Sequence, residues 1–463
     1  RISTTDANGN TTLFFYDSNN QLTHSINAMG EVTERIYDAF GQVNQTIGHA
    51  QRVDVSTAGM VGGLLTDALR TVLSNNRSNG LDRNTETTYN LRGAISKILN
   101  PDTGHETRNY YNSFGELYVR AVKQDLLSGS IDTGAYDGYR FDFFNYDKRG
   151  LITQSLSDDI HMADPREISR VYDAFGREIS TTSGNGKTTT ATYDKRGQVV
   201  TTTYADGANR EKSYDAFGRI LTQTDALGNV TTYQYDDATR SVTVTTPEGI
   251  STTTTRNAHG QVVSLIDGEG HSTSYEYDLD GNLIKTIDPL GHESTQTFNA
   301  SGQKISTTDA AGVVTDYSYD AANRVLMRHV DPEGLNLTNT YNYNSFGELN
   351  EEIDANGTVT RTFYDQAGQK AEVIVDPVDV TNNPDGLHLI TRFDYDGDGN
   401  ALTVVEGADT SEETTTEYRY DVLGRRTHTV VDPGGQNLTT EYVYDKNDNV
   451  VERIDANGYS TYY

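Results

Sequence analysis

Asp394, Asp396, Asp398 and Asn400 alternate through FDYDGDGN (393–400), the first, third, fifth and seventh positions of an EF-hand-type calcium loop, with Gly399 at the sixth. The twelfth position, where a bidentate Glu belongs, is Val405, and Glu406 comes one residue late. Calcium is the one cofactor this spacing suggests; the simpler reading is that Asp396 and Gly399 are turn residues of a repeat. Histidines supply a second candidate set, in GHET (104–107), GHST (270–273) and GHES (291–294). All three follow a turn Gly in the same slot, which a repeat explains without catalysis. A nucleophile, base and acid must also meet in a pocket. The chain has no phosphate loop, no H-E-x-x-H and no G-x-S-x-G. No enzyme is expected, and no catalytic residue is nominated.

The elements that would carry these residues follow from a repeat. Tyr172, Tyr193, Tyr214, Tyr235, Arg256, Tyr277, Phe298 and Tyr319 succeed one another at a constant interval of 21 residues. The unit reads T-x-Y-x-Y-D-x-x-G, then a β-branched stretch, then a second D-x-x-G. TTYQYD (231–236) alternates with the two-residue period of a strand, and RILTQTD (219–225) suits a pleated surface. The repeat residues are Tyr172, Asp173 and Gly176; Tyr193, Asp194 and Gly197; Tyr214, Asp215 and Gly218; and Tyr277, Asp278 and Gly281. In each set Asp can accept from backbone two residues on, and Gly can take the positive φ that closes a short hairpin loop. Thr239 and Asp448 replace that Gly, and irregular turns are expected at both. Second turns fall halfway round, as DALG (225–228), DPLG (288–291) and DANG (354–357). Two strands per unit predict a meander of about 36 strands, each hairpin leaning on its neighbours.

Composition narrows the class. Thirty tyrosines in 463 residues can bury rings, pair across strands and offer hydroxyls to water, which suits a thin sheet wet on both faces. A formal net charge of −30 opposes nucleic acid and anionic membranes. Cysteine is absent, so no disulfide can form and the redox compartment is not legible. No run approaches the length of a membrane span. The opening RISTTD matches the middle of a unit (KISTTD, 304–309), and NGYSTYY closes just short of the next Tyr-Asp. A single array over 1–463, cut mid-repeat at both ends, is expected.

Three insertions break the period, at 48–80, 118–138 and 376–388. The first contains TAGMVGGLLTDALRTVLSNN (57–76), whose Met60, Val61, Leu64, Leu65, Ala68, Leu69, Val72 and Leu73 recur at helical spacing. One inserted α-helix over 57–76 is expected, capped by Ser56 or Thr57. It either packs on the sheet and plugs an open side or docks a partner.

The Y-D-x-x-G…G-x-x-T-x-Y-x-Y-D pattern resembles the YD/Rhs repeat family, and YDAFGREIS (172–180) and YDLDGNLIK (277–285) look like typical members. That family includes bacterial Rhs effectors, shell-forming components of Tc toxins and the extracellular portion of teneurins. The resemblance implies an all-β fold, a spiralling antiparallel β-sheet wound into a shell that in the bacterial cases encloses a toxin. It does not extend to the core segment that often carries self-cleaving aspartates, so no catalytic residue is carried over. A complete shell needs more chain, so an open or partial wall is expected unless several copies assemble. The expected function is a non-enzymatic structural wall at the cell surface or in the extracellular space of bacteria. Its partner would be the rest of the parent polypeptide or an enclosed cargo domain. The alternative is an adhesin whose exposed tyrosines recognise glycans or a protein receptor.

Overall fold

Each Tyr-Asp turn is built by its aspartate. At Asp194 the backbone N–H donates to Gln198 O and the carbonyl accepts from Gly197 N–H, while Oδ1 accepts from the N–H groups of Arg196 and Gln198. Gly197 sits at φ 85°, the left-handed conformation that completes a type I turn in a hairpin. The computed structural model describes residues 1–56, 60–78, 80–123, 139–158, 166–377, 387–421 and 423–463. Among these, 39 strands form one sheet and Asp67–Asn75 forms one α-helix. Successive strands pair antiparallel, as Thr188–Tyr193 with Val199–Thr203 and Val199–Thr203 with Asn209–Tyr214. The expected all-β spiral array with one inserted helix is the observed fold.

The odd repeat length is reconciled with the two-residue pleat by a bulge. Thr192 pairs with Thr201 but Tyr193 with Val199, so one residue is extra beside each such turn; the same shift recurs at Tyr214 and Tyr277. Without it, 21 residues would send successive tyrosines to opposite faces. With it, they stay on one face. The halfway turns carry no such shift: Thr222 pairs with Thr232 and Thr224 with Val230.

Asn20 and Asn323 take the Gly slot of two turns at φ 64° and 68°; of the two turns expected to be irregular, that of Thr239 is so. There the bulge is absent, Asp236 pairs with Ser241, and Arg240 takes the positive φ of 55°. The extra residue has moved from strand into loop. Asp448 contradicts the expectation: at φ 67° it donates to Asp445 O as Gly does elsewhere. Its short polar side chain tolerates the left-handed region.

The 48–80 insertion is bypassed by the sheet, because Val43–Gly48 pairs directly with Arg83–Tyr89. Its helix, Asp67–Asn75, is shorter than 57–76, and its cap lies nine or ten residues after the expected one. Thr66 is the N-cap, its hydroxyl accepting from Leu69 N–H. Thr57 lies outside the described residues. The upstream residues are held otherwise: Gly62 and Gly63 have φ of 77° and 107°, and Gly63–Leu64 runs as a short parallel strand beside Thr11–Tyr16. A Cβ on Gly62 would stand 2.1 Å from the Ile2 carbonyl oxygen, so only glycine fits. The apolar stripe is accordingly used in part. Met60, Leu65, Leu69 and Leu73 are buried with Leu13, Phe15, Ile26, Val32 and Val53, whereas Val61, Leu64, Ala68 and Val72 are exposed. Most of the remaining sheet is half-buried at best, as a single layer must be. Of the other insertions, the structure describes 118–123, within the strand Leu117–Lys123, and the flanks Asp376, Pro377, Leu387 and His388; 124–138 and 378–386 fall outside it.

Candidate functional site

The repeat residues form a clasp between neighbouring hairpins. Tyr193, Tyr214 and Tyr277 donate their hydroxyls to the carbonyls of Glu178, Val199 and Val262, at 2.5, 2.7 and 2.8 Å. The acceptor is the first residue of the strand after the preceding Tyr-Asp turn. Tyr172 reaches Ile152 O at 2.8 Å in the same way. The bulge interrupts the ladder beside that carbonyl, and the hydroxyl supplies a donor there. The hydroxyls are thus bound to backbone and not, as composition suggested, turned to water. Burial pushes the Tyr214 phenol above its ordinary pKa. At Asp215 burial pushes the other way from the turn: the N–H groups of Arg219 and Phe217 and the Arg219 guanidinium outweigh it, and the carboxyl is held below its usual range. Arg219 then stacks over Tyr235, its guanidinium 4.2 Å from the ring centre.

The sheet closes on itself along a seam between residues 260 to 317 positions apart. Asn323 Nδ2 donates to Asp6 Oδ2 at 3.0 Å, and Asn8 Nδ2 to Gln303 Oε1 at 2.8 Å. Arg324 pairs with Glu31 at 2.9 Å. Arg83 makes a two-pronged pair with Glu348 at 2.7 and 2.9 Å, and lies 4.0 Å over the Phe346 ring. Further along, Asn185 Nδ2 donates to Asp445 Oδ2 at 2.8 Å and Arg166 pairs with Asp448 at 2.7 Å. The contacts follow one rule. Halfway turns and insertion loops of the first lap meet Tyr-Asp turns of the second.

At the inserted helix, a polar cluster of two buried histidines, a half-buried Glu34 and an exposed Arg77 ties insertion to sheet. Glu34 pairs with Arg77 from the segment after the helix, with His49 Nε2 at 3.0 Å, and stands 3.7 Å from His24 Nε2. Burial pushes Glu34 up, but His49 and Arg77 pull it down to about 2. Burial drives His24 down to about 4 against the attraction of Glu34. Sequence reasoning missed this cluster. His24 and Glu34 are cross-strand partners, so the signal was the strand register, which the repeat frame could have supplied.

The calcium-spaced residues serve their turn. Asp396 Oδ1 accepts from the N–H groups of Asp398 and Asn400, and its Oδ2 accepts from Asn400 Nδ2 at 2.8 Å. Asp394 lies on the strand Leu389–Tyr395, on the face opposite Tyr395 and Phe393. From Ala401 the chain continues as a strand to Glu406, so it does not wrap back as an EF-hand loop does. Among the described residues no group of three His, Asp or Glu side chains is placed to hold a metal ion. His271 and His292 bond the aspartates of their own turns, at 3.3 and 2.8 Å.

A single antiparallel sheet whose second lap seats turn-on-turn against its first defines a spiral β-wall. The RHS Repeat family profile matches residues 172–208, 214–252, 256–293 and 298–335, and these segments are RHS repeats. No curated protein matches the sequence. Among solved structures, the crystal structure of TcdB2-TccC3-TEV is similar at 16% identity, with a TM-score of 0.75 over 99% of this chain and 27% of that chain. TcdB2-TccC3 without its hypervariable C-terminal region gives 17% identity and 0.71 over 99% and 26%. The Photorhabdus luminescens Tc holotoxin pore gives 16% and 0.71 over 99% and 26%. These likenesses are of fold, and the chain spans about a quarter of the length of those structures.

Proposed function

We propose that this chain is a non-enzymatic stretch of wall in a hollow RHS-repeat shell, enclosing or displaying another part of its parent polypeptide. The observation that carries the reading is the seam, since a ribbon that seats on its own first lap bounds a space. Roughly 24 strands per lap, counted between turns that meet in the seam, at about 4.8 Å spacing give a ring on the order of 40 Å across. That width accommodates one small domain, whose radius of gyration is about 13 Å for 100 residues. The resemblance to bacterial YD/Rhs shells supports an extracellular or surface setting. Among the described residues no helix is long and apolar enough to cross a membrane. The adhesin reading draws less support, because the repeat tyrosines are half-buried and their hydroxyls are bound to backbone. The test is co-expression with the remainder of the parent, followed by trypsin. A remainder cut more slowly with this chain than without it is the expected result; equal rates would remove the enclosure.

A further inference from the structure

The strand Val359–Tyr364 departs from the repeat at two positions. From Tyr193 to Tyr319 the residue before the repeat slot is polar, as in Thr192, Ser213, Gln234 and Thr255, and the residue two before that is Thr190, Glu211, Thr232 or Thr253 in the same units. Ahead of Tyr364 these positions hold Phe363 and Arg361. The hairpin does not require them, because units without them pair with the same register shift. Phe15 holds the Phe363 position ahead of Tyr16, where it is fully buried with the inserted helix; Phe363 is 50% exposed.

Register places Asn342, Glu351 and Arg361 side by side on three adjacent strands, with Phe363 two residues along from Arg361 on the same face. Arg361 Nε donates to Glu351 Oε2 at 2.9 Å, and Asn342 Nδ2 donates to Oε1 at 3.1 Å. Each carboxylate oxygen keeps accepting capacity, and the terminal nitrogens of Arg361 have no partner among the described residues. Arg392, the next arginine across the sheet, is by contrast saturated by Glu372 and Asp409. A cleft of about 420 Å³ opens over Asn342, Glu351, Arg361 and Phe363, a size that suits a small ligand.

We propose that this cleft is a binding subsite for a neutral sugar ring. The C–H face of a pyranose would lie on Phe363, with neighbouring hydroxyls accepting from Arg361 and donating to Glu351. The Arg–Glu pair cancels its own charge and so favours hydroxyls over ions, and the net charge of −30 turns anionic ligands away. Phe363 is not a repeat tyrosine, so the clasp between hairpins does not use it. The subsite stands whether or not the wall encloses another domain.

Saturation-transfer NMR on the whole chain tests this, with the methyl glycosides of glucose, mannose and galactose as probes. At least one is expected to receive saturation, concentrated at the C–H protons of one ring face. Phe363→Thr and Arg361→Thr install residues that other units carry at these positions, so the fold is kept, as circular dichroism will check. Each should weaken binding about tenfold, whereas Phe363→Tyr keeps a ring and should keep the affinity. No transfer to any of the three glycosides, or transfer that Phe363→Thr leaves unchanged, would overturn the proposal. If the glycosides stay silent and N-acetyl-trialanine amide binds in a Phe363-dependent way, the cleft takes peptide and the sugar subsite fails.

Discussion

At the scale of single residues, the repeat is a set of hydrogen bonds that its spelling specifies. The turn needs a side-chain oxygen at the Asp slot and no charge there: Asn257 and Asn299 accept the same pair of N–H groups that Asp215 does. Asp215→Asn should accordingly leave the denaturation midpoint near its original value, while Asp215→Ala lowers it. Equal losses in urea titrations would show that the charge, and not the acceptor, matters. The tyrosine hydroxyl is a separate contribution. Tyr214→Phe removes the donor to Val199 O and should cost about 1 kcal/mol, read as faster amide exchange around Val199. The Asp and Gly slots were legible because turn chemistry is local. The destination of the hydroxyl was not, since it lies in the neighbouring unit.

At the scale of elements, the inserted helix is held by burial and by the charge cluster. Leu73 is almost fully buried among the cluster on the sheet, so Leu73→Ala should cost about 2–5 kcal/mol, measured by denaturant unfolding of the N-terminal region. The cluster adds a pH dependence. His24 is depressed to about 4 in the folded chain, so between pH 6.5 and 4 the unfolded state binds the extra proton. Its contribution is whole above pH 6.5 and is lost as the pH falls toward 4. Glu34, depressed to about 2, extends the loss from about pH 4.5 downward. Each shift corresponds to about 3 kcal/mol as an order of magnitude. Hydrogen exchange at Leu22–Ile26 and Asp67–Asn75 should rise between pH 7 and 4.5 beyond the change in intrinsic rate, and His24→Gln should flatten that rise. The helical period was readable in 57–76, but its start was not. Gly62–Gly63 and the parallel strand take residues that an isolated amphipathic segment would keep in the helix.

At the scale of the molecule, the seam converts a meander into a wall. Arg83→Ala removes the two-pronged pair with Glu348 and the cover over Phe346, and should loosen the second lap by about 2 kcal/mol. Amide exchange would then rise at the Asn344 and Asp365 turns while the 172–335 repeats stay unchanged; a uniform rise would mean the laps unfold as one unit.

By itself, the sequence determined whatever the unit contains. Strand order, the Asp and Gly of each turn and the antiparallel hairpins rest on contacts within about 21 residues, and each is spelled anew in every copy. The tertiary structure alone decided three things. The bulge, which keeps Tyr193 and Tyr214 on one face, depends on register between strands. The truncated helix depends on Ile2 and on Thr11–Tyr16, far upstream of it. The seam joins Asp6 to Asn323 and Asn185 to Asp445, and its spacing is set by small strand-to-strand twists summed over a whole lap. No single unit encodes that sum, so a periodic sequence cannot show where its second lap will land.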